Sequence, residues 1–291
     1  PMTTDKQPHR SRFHKAKADA QFAKQATTTP QTADPAYKLA FQDNDFLLRE
    51  DLRPVRFQLE LLKPELLLDE AGIESTLVIY GSARIPEPAE ADALEAAATD
   101  DIQRTIARRL KAKAKYYDEA RKLARLASQV PCDEDGCRHF VVCSGGGPSI
   151  MEAANRGAAD EGRESIGLNI VLPHEQAPNR YVTPSLSFQF HYFALRKMHF
   201  LLRARAVAVF PGGFGTFDEM FELLTLIQTG KIKPIPIVLF SKEFWTRVVN
   251  FDALVEEGVI SGRDLSLFHF VETADEAWQI IQDFYAQVPV E

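Results

Sequence analysis

The stretch that decides the fold is Ala206-Val207-Ala208-Val209-Phe210, followed by Pro211-Gly212-Gly213-Phe214-Gly215-Thr216-Phe217-Asp218-Glu219. The apolar run predicts a buried strand, the glycines predict a turn, and Thr216 with the two carboxylates predicts the start of a helix. Such a turn directs unpaired backbone N–H groups at an anion, because the N-terminus of a helix is electropositive. The stretch therefore predicts a phosphate-binding turn with the carboxylate of Glu219 beside it.

Two further apolar runs end in turns of small residues. Residues 76–80 precede Gly81-Ser82-Ala83-Arg84, and residues 140–143 precede Ser144-Gly145-Gly146-Gly147-Pro148. Continuous Val/Ile/Leu runs that alternate with helical patterns indicate a parallel sheet covered on both faces. Ligands bind beyond the carboxyl ends of such strands. We therefore predict an α/β, Rossmann-like, doubly wound and mostly parallel sheet, in which the three turns converge on one crevice.

The first 74 residues differ in composition from the rest. Residues 1–40 are polar and rich in Gln, Thr, Ala and Pro, so we predict a flexible tail or an oligomer arm. Residues 41–74 are amphipathic but interrupted by Pro54 and Pro64, and we predict an extension of short helices. Residues 75–291 are predicted to form a Rossmann-like nucleotide-binding catalytic domain, in which the charged stretch 89–129 is helical with a break near Asp100.

Composition excludes several classes of protein. The net charge of −7 disfavours a nucleic-acid or membrane-surface partner. No apolar run approaches the roughly 20 residues of a membrane span, and no apolar leader is visible, so we expect a cytoplasmic protein. Cys132, Cys137 and Cys143 with His139 lack the paired C-x2-C spacing of common zinc sites. We therefore predict three reduced thiols and no metal.

The glycine motifs also exclude two common nucleotide sites. Ile150 stands at the third small position of a dinucleotide fingerprint, and no acid closes the next apolar run, so no nicotinamide cofactor is expected. Thr216-Phe217 stands where a Walker loop has Lys-Ser/Thr, so a monophosphate fits better than a triphosphate. The run Gly145-Gly146-Gly147 opens the backbone more than a tight turn requires, which favours contact with a ligand.

Four polar residues follow the glycine turn at intervals of three. Thr216, Glu219, Glu222 and Thr225 are predicted to form one stripe on the helix. A first-turn acid such as Glu219 is also favoured by the helix dipole alone, by a few tenths of a kcal/mol. Several acids beside a phosphate site, however, indicate that one of them has a chemical task, and we assign that task to Glu219.

Two cations begin the predicted helix that precedes the Ala206 strand. Arg196 and Lys197 are cations at a helix N-terminus, where they interact unfavourably with the helix dipole. A bound phosphate would reverse the sign of this effect. An Arg side chain can hold phosphate bidentately.

Arg196-Lys197 followed by Pro-Gly-Gly-x-Gly-Thr-x-x-Glu at 211–219 resembles the LONELY GUY (LOG) family. These are cytokinin riboside 5′-monophosphate phosphoribohydrolases, also labelled possible lysine decarboxylases. The resemblance covers about residues 76–281. The N-terminal extension and Arg53-Pro54-Val55-Arg56 resemble the longer bacterial branch, which is similar to nucleotide 5′-monophosphate nucleosidases.

The resemblance implies a homodimer or higher homo-oligomer that hydrolyses the N-glycosidic bond of a nucleoside 5′-monophosphate, of AMP or cytokinin riboside monophosphate type. The products are the free base and ribose 5-phosphate, and no cofactor is implied. The implied catalytic pair is Arg196 and Glu219. The implied substrate-binding residues are Gly212, Gly213, Gly215, Thr216, Lys197, Thr225, Gly145, Gly146, Gly147, Ser82 and Glu175.

Glu219 could stabilise oxocarbenium character on the ribose or activate water, and the sequence leaves both open. Phe193-Ala194-Leu195 stands where the plant proteins have a Met-His-Glu/Gln run, and Asp218 replaces the first Glu of the usual pair. Base specificity is therefore open among cytokinin, purine and pyrimidine monophosphates.

Two other functions are weighed. Lysine decarboxylation would need a Schiff-base lysine in a context such as Ser-x-His-Lys, and only Arg12-Phe13-His14-Lys15 comes near. A non-catalytic nucleotide sensor, or a carrier of a phosphorylated cofactor, is the alternative on the same fold. The presence of both Arg196 and Glu219 favours the enzyme.

Overall fold

The structure is a computed structural model that describes residues 14–173 and 177–287. The chain divides into two compact units, one up to Leu59 and the other from Glu60. From residue 14 onward, the first unit contains three short α-helices without buried residues, and the start of a longer one. These helices are α1 (Ala16–Ala23), α2 (Pro30–Ala33), α3 (Asn44–Leu47) and α4 (Arg53–Glu70). That the first 40 residues are flexible stays a prediction.

The helix α4 is continuous, so the prediction of short helices interrupted by proline was wrong here. Pro54 lies in the first turn, where no N–H is needed for an intrahelical bond. Pro64 is buried within the helix and lacks the N–H that would bond to the carbonyl of Glu60. That carbonyl oxygen instead lies 3.1 Å from Nε2 of His199. A donor far away in sequence therefore replaces the missing helical one.

The second unit is built on a seven-stranded parallel sheet, which confirms the predicted Rossmann-like α/β class. The strands are β1 (Thr76–Tyr80), β2 (Val141–Ser144), β3 (Ile166–Ile170), β4 (Ser187–Phe190), β5 (Ala204–Val209), β6 (Ile237–Phe240) and β7 (His269–Val271). The helices are α5 (Pro88–Ala96), α6 (Asp101–Lys111), α7 (Lys115–Ser128), α8 (Ile150–Asp160), α9 (Phe193–Leu202), α10 (Phe214–Gln228), α11 (Lys242–Val248), α12 (Phe251–Glu256) and α13 (Ala274–Gln287).

The charged stretch 89–129 forms α5, α6 and α7. The predicted break near Asp100 is confirmed, because the Asp100 carboxylate accepts a hydrogen bond of 2.7 Å from the Gln103 N–H and so caps α6. A second break, at residues 112–114, was not predicted.

The strand order is β4-β3-β2-β1-β5-β6-β7. From β1 to β4 the chain adds strands on one side of β1, and from β5 to β7 it adds them on the other side. The loops after β1 and β5 therefore diverge to opposite sides of the sheet and leave a crevice at its carboxyl edge. Strands β1 and β6 are buried on both faces. In β1, for example, Val78 and Tyr80 belong to one apolar core, whereas Leu77 and Ile79 belong to the other. The sheet is therefore rigid and buried where it carries the crevice.

Candidate active site

A cavity of about 950 Å³ occupies this crevice, and residues of all three predicted turns line it. The turns follow β1, β2 and β5, which are neighbours in the sheet. The structure thus brings nine of the sequence-predicted site residues together on the cavity. They are Ser82, Gly145, Gly147, Arg196, Gly212, Gly213, Gly215, Thr216 and Glu219.

The turn at residues 212–216, here called the cradle turn, leads into α10. The helix begins at Phe214 with Gly213 as its N-cap, two residues before the predicted start at Thr216. Within the described residues, the N–H groups from Gly213 to Thr216 have no hydrogen-bond partner. A Cβ atom on Gly212 would lie 2.1 Å from Oγ1 of Thr216, so only glycine allows this approach. The turn therefore presents a row of unpaired donors to the cavity.

The turn at residues 145–147, here called the held turn, differs because its middle residue does not line the cavity. Gly146 has a φ of +72°, which favours glycine. Its N–H donates to Oγ of Ser144 at 3.0 Å, and its carbonyl oxygen accepts from the N–H of Asn179 at 2.8 Å. A Cβ atom on Gly146 would lie 2.2 Å from Oδ1 of Asn169. Gly146 thus shapes the turn, while Gly145 and Gly147 face the cavity.

Arg196 lies on α9, and its side chain is almost completely buried. Its Nε donates to the carbonyl of Leu168 at 2.6 Å, and Nη1 donates to Oε1 of Glu219 at 3.4 Å. The guanidinium lies over the ring of Phe200, 5.0 Å from its centroid. A Cβ atom on Gly145 would lie 2.6 Å from Nη2, so this glycine makes room for the guanidinium. Arg196 is therefore fixed on several sides and faces the cavity.

Glu219 lies on α10, and its side chain is 13% exposed. Burial raises the pKa of this carboxyl to about 7, although the Arg196 guanidinium acts in the opposite direction and Asp218 adds to the rise. Near neutral pH the group is therefore divided between its protonated and ionised forms. A carboxyl group with this pKa, beside a cation and in a cavity, is typical of a catalytic acid or base.

Tyr80 and Cys143 are buried close to this pair. Burial raises the pKa of both side chains. For Tyr80 the negative charge of Glu219 acts in the same direction, whereas for Cys143 the Arg196 cation partly opposes the rise. Both are uncharged at neutral pH, so neither supplies a second anion next to the carboxylate.

Lys197 does not line the cavity, contrary to the expectation that it joins Arg196 at the phosphate. Its Nζ lies 3.1 Å from both Oδ2 of Asp218 and Oε2 of Glu222. Burial lowers the pKa of this ammonium group, but the hydrogen bonds to Glu222 and Asp218 outweigh that effect and raise it. Successive residues on a helix point about 100° apart, which explains why neighbours on α9 serve different surfaces.

Thr225 also lies away from the cavity, in a shallow groove that Glu222 shares. Its hydroxyl donates to the carbonyl of Phe221 at 2.7 Å. The prediction that the four polar residues form one stripe was therefore wrong. Each three-residue step falls about 60° short of a full turn, so the residues do not share one face of the helix. After nine residues the row has moved to the opposite side of the helix from Thr216.

Glu175 lies outside the described residues. The asparagines that support the held turn do not belong to any of the motifs that the sequence indicates. Nδ2 of Asn179 donates to the carbonyls of Gly146 and Gly147, at 3.2 and 3.0 Å, and to Oδ1 of Asn155 at 2.9 Å. Asn155 is fully buried on an Ala-rich helix face. A single Asn on an otherwise apolar helix face indicates a buried hydrogen-bond network, because a buried polar group needs partners.

In the part of the chain that the structure describes, no group of three or more His, Cys, Asp and Glu residues is placed to hold a metal ion. His139 instead contacts Ser75 and Asp133. None of the described helices combines the length and the apolar character needed to cross a bilayer.

Fold and site together define a Rossmann-like α/β protein with a cavity at the carboxyl edge of the sheet, in the crevice between β1 and β5. Residues 151–281 match the family model described as "Possible lysine decarboxylase". The chain is 26% identical, over 59% of its length and 78% of the relative's, to cytokinin riboside 5′-monophosphate phosphoribohydrolase LOG2 of Arabidopsis thaliana.

The probable cytokinin riboside 5′-monophosphate phosphoribohydrolase LOG4 of Oryza sativa subsp. japonica is 27% identical, over 47% of this chain and 59% of the relative's length. Among solved structures, the Moco carrier protein from Chlamydomonas reinhardtii aligns over 74% of this chain and 99% of its own, with 16% identity and a TM-score of 0.44. The family match and the curated relatives support a relation to the LOG family.

Proposed function

We propose that the protein hydrolyses the N-glycosidic bond of a nucleoside 5′-monophosphate, of the AMP or cytokinin riboside monophosphate type. The observation that carries the proposal is the buried Arg196–Glu219 pair, with 3.4 Å between Nη1 and Oε1, beside the unpaired N–H groups of the cradle turn. The relatives that the chain resembles bear the name of phosphoribohydrolases, which supports a hydrolase.

The cradle turn would bind the 5′-phosphate. Its N–H groups and the Thr216 hydroxyl supply donors, and the N-terminus of α10 favours an anion. One phosphoryl group fits these donors without a further cation from the turn itself. Binding energy from the phosphate would then hold the ribose in place, where it can be used for the chemical step.

Glu219 would act on the ribose at C1′. Water supplies the new C1′–O bond, the C1′–N bond breaks, and the base leaves with the electron pair and a proton. The ionised carboxylate either accepts the proton of the attacking water or stabilises positive charge on the ribose. Arg196 holds this carboxylate through Nη1 and keeps it oriented.

A homo-oligomer is part of the proposal. Phe193, Met198 and Leu202 on α9 are 54%, 45% and 43% exposed, and Phe193 lines the cavity. Exposed apolar groups of this kind are typical of surfaces that a partner covers. A second copy would cover them and complete the wall of the cavity. Light scattering that showed only monomers at assay concentrations would contradict this part.

The test is incubation of the purified protein with AMP, CMP and a cytokinin riboside monophosphate, followed by chromatography for the free base. We expect base and ribose 5-phosphate in equal amounts from at least one of them. Adenosine is the matched control without a phosphate, and Glu219→Gln is the control without the carboxylate. We expect the variant to bind AMP but release no base. AMP binding without base release by the unaltered protein would instead favour a non-catalytic nucleotide-binding protein.

A further inference from the structure

Residues 60–70 of α4 contact α9, the helix that carries Arg196, just before its first turn, in its last turn and at its C-cap. The contacts come from Glu60, Glu65 and Asp69 of α4, and all of them lie within the second unit of the chain. We refer to residues 60–70 as the brace.

At the N-terminus of α9, the brace holds the two residues that lead into the helix. Oε1 of Glu60 accepts a hydrogen bond of 2.7 Å from the N–H of His191, and Oε2 accepts one of 3.2 Å from the N–H of Tyr192. Tyr192 is the N-cap residue of α9. Both N–H groups precede the first helical residue, and the negative charge of the carboxylate at this place complements the helix dipole. Glu60 therefore fixes the start of α9 from another helix.

In the last turn of α9, the contact depends on a proline. Pro64 leaves the carbonyl of Glu60 without its helical donor, and Nε2 of His199 lies 3.1 Å from that oxygen. The His199 side chain is 1% exposed, and burial lowers its pKa, so the neutral ring carries its proton on Nε2. Pro64 and His199 thus form one device, in which the first frees an acceptor and the second uses it.

At the C-terminus of α9, Arg203 closes the third contact. Its Nη2 donates to Oδ1 of Asp69 at 2.6 Å and lies 3.3 Å from Oε2 of Glu65. Arg203 is the C-cap residue of α9, where a cation also complements the dipole.

We propose that the brace positions Arg196, with Glu60 as the positioning residue. The connection is short, because the N–H of Arg196 bonds to the carbonyl of Tyr192 at 3.2 Å, and Tyr192 is held by Glu60. The brace thereby sets the approach of Arg196 to Glu219. The positioning of α9 stands on geometry alone, whereas its effect on turnover rests on the proposed function.

The first experiment tests the Pro64–His199 device by thermal unfolding and needs no activity. His199→Leu removes the donor and should lower Tm by about 3–6 °C, since it leaves a buried carbonyl unpaired. In the Pro64→Ala background, His199→Leu should lower Tm by less than half as much, because the N–H of residue 64 then donates to the carbonyl of Glu60. His199→Gln, which keeps a donor, should restore most of the loss. Equal losses in both backgrounds, or loss of folding in both, would overturn the device.

The second experiment tests Glu60 through turnover. We expect Glu60→Ala to lower kcat by about 10-fold or more, because a small misplacement of a catalytic group is costly, and to leave KM nearly unchanged. Glu60→Gln should fall between it and the unaltered protein. Glu70→Ala is the control, since Glu70 is an exposed acid on the same helix. In an Arg196→Lys background, Glu60→Ala should cost little more, because both changes act on one group.

Equal fold-losses in the two backgrounds would overturn the positioning role while leaving the hydrolase intact. If the unaltered protein released no base at all, the proposed function would fail, and the unfolding experiment would still decide whether the brace exists.

Discussion

The two glycine turns at the carboxyl edge look alike in sequence but do different work in the structure. In the held turn, the N–H and the carbonyl of Gly146 are both hydrogen-bonded, and its positive φ requires glycine. In the cradle turn, Gly213 and Gly215 have open space around them, and the N–H groups are unpaired within the described chain. Glycine therefore serves the backbone conformation in the first turn and leaves open space in the second.

The surroundings of the two turns follow the same division. Behind the held turn lies a fully buried polar network, in which Asn155 accepts from Ser144 and donates to Ser165. At the tip of the cradle turn, the ring of Phe214 is 97% exposed. The comparison predicts that substitution of Gly146 reduces stability, whereas substitution of Gly213 or Gly215 reduces binding.

The largest loss of stability is expected for Gly146→Ala. The new methyl group would meet Oδ1 of Asn169, and alanine is strained at this φ, so we expect a loss of about 4 kcal/mol. Gly136→Ala is a matched control, since Gly136 has a φ of +80° but no neighbour within 4 Å, and it should lose only about 1 kcal/mol. Thermal unfolding measures both. Equal losses would mean that the held turn can relax.

A pH-dependent gain of about 3 kcal/mol is expected for Glu219→Gln. The pKa of this carboxyl is about 7 in the folded protein and 4.5 otherwise, so the folded state loses stability as the pH rises from 4.5 through 7. Glutamine cannot ionise. The variant should therefore be the more stable protein at pH 8.5, and the difference should vanish near pH 4. Unfolding temperatures at both pH values measure this, and a difference independent of pH would contradict the raised pKa.

The same group predicts a pH profile for turnover. If the ionised carboxylate is the active form, kcat/KM for AMP should rise with pH and level off above an apparent pKa near 7. A profile that stays flat between pH 5 and 9 would contradict an ionising Glu219 in the chemical step.

A smaller loss, of about 2 kcal/mol, is expected for Asn179→Ala. The change removes one amide group that contacts three acceptors in the held turn and its network, and it should also speed hydrogen exchange at Gly146. Asn250→Ala, which removes only a helix cap on α12, serves as the control and should cost about 1 kcal/mol without affecting the turn. Unchanged exchange at Gly146 would show that Asn179 does not hold the turn.

The smallest effect on stability is expected for Gly215→Ala, within about 0.5 kcal/mol, because the methyl group enters open space in the first turn of α10. Its effect should appear in AMP affinity measured by calorimetry. A loss of stability comparable to that of Gly146→Ala would erase the distinction between the two turns.

The sequence was sufficient for the sheet and for the meeting of its turns. Continuous apolar runs indicate buried parallel strands, and the carboxyl ends of such strands share an edge, so Gly145, Gly212 and Glu219 had to lie on the same side. The directions of Lys197 and Thr225 also follow from the rotation of about 100° per residue in an α-helix.

Other features depend on contacts that no local pattern contains. The continuity of α4 through Pro64 requires a donor from His199, 135 positions further along the chain. The role of Gly146 depends on its φ and on Asn179, and a run of three glycines does not tell which of them faces a ligand.

The outermost strands of the sheet are short, with four residues in β4 and three in β7. Each therefore offers few free main-chain groups to an incoming strand of another molecule. A wholly parallel sheet folds slowly, since its pairings join distant parts of the chain. Short edge strands therefore limit fibre-like aggregation while the sheet is still folding.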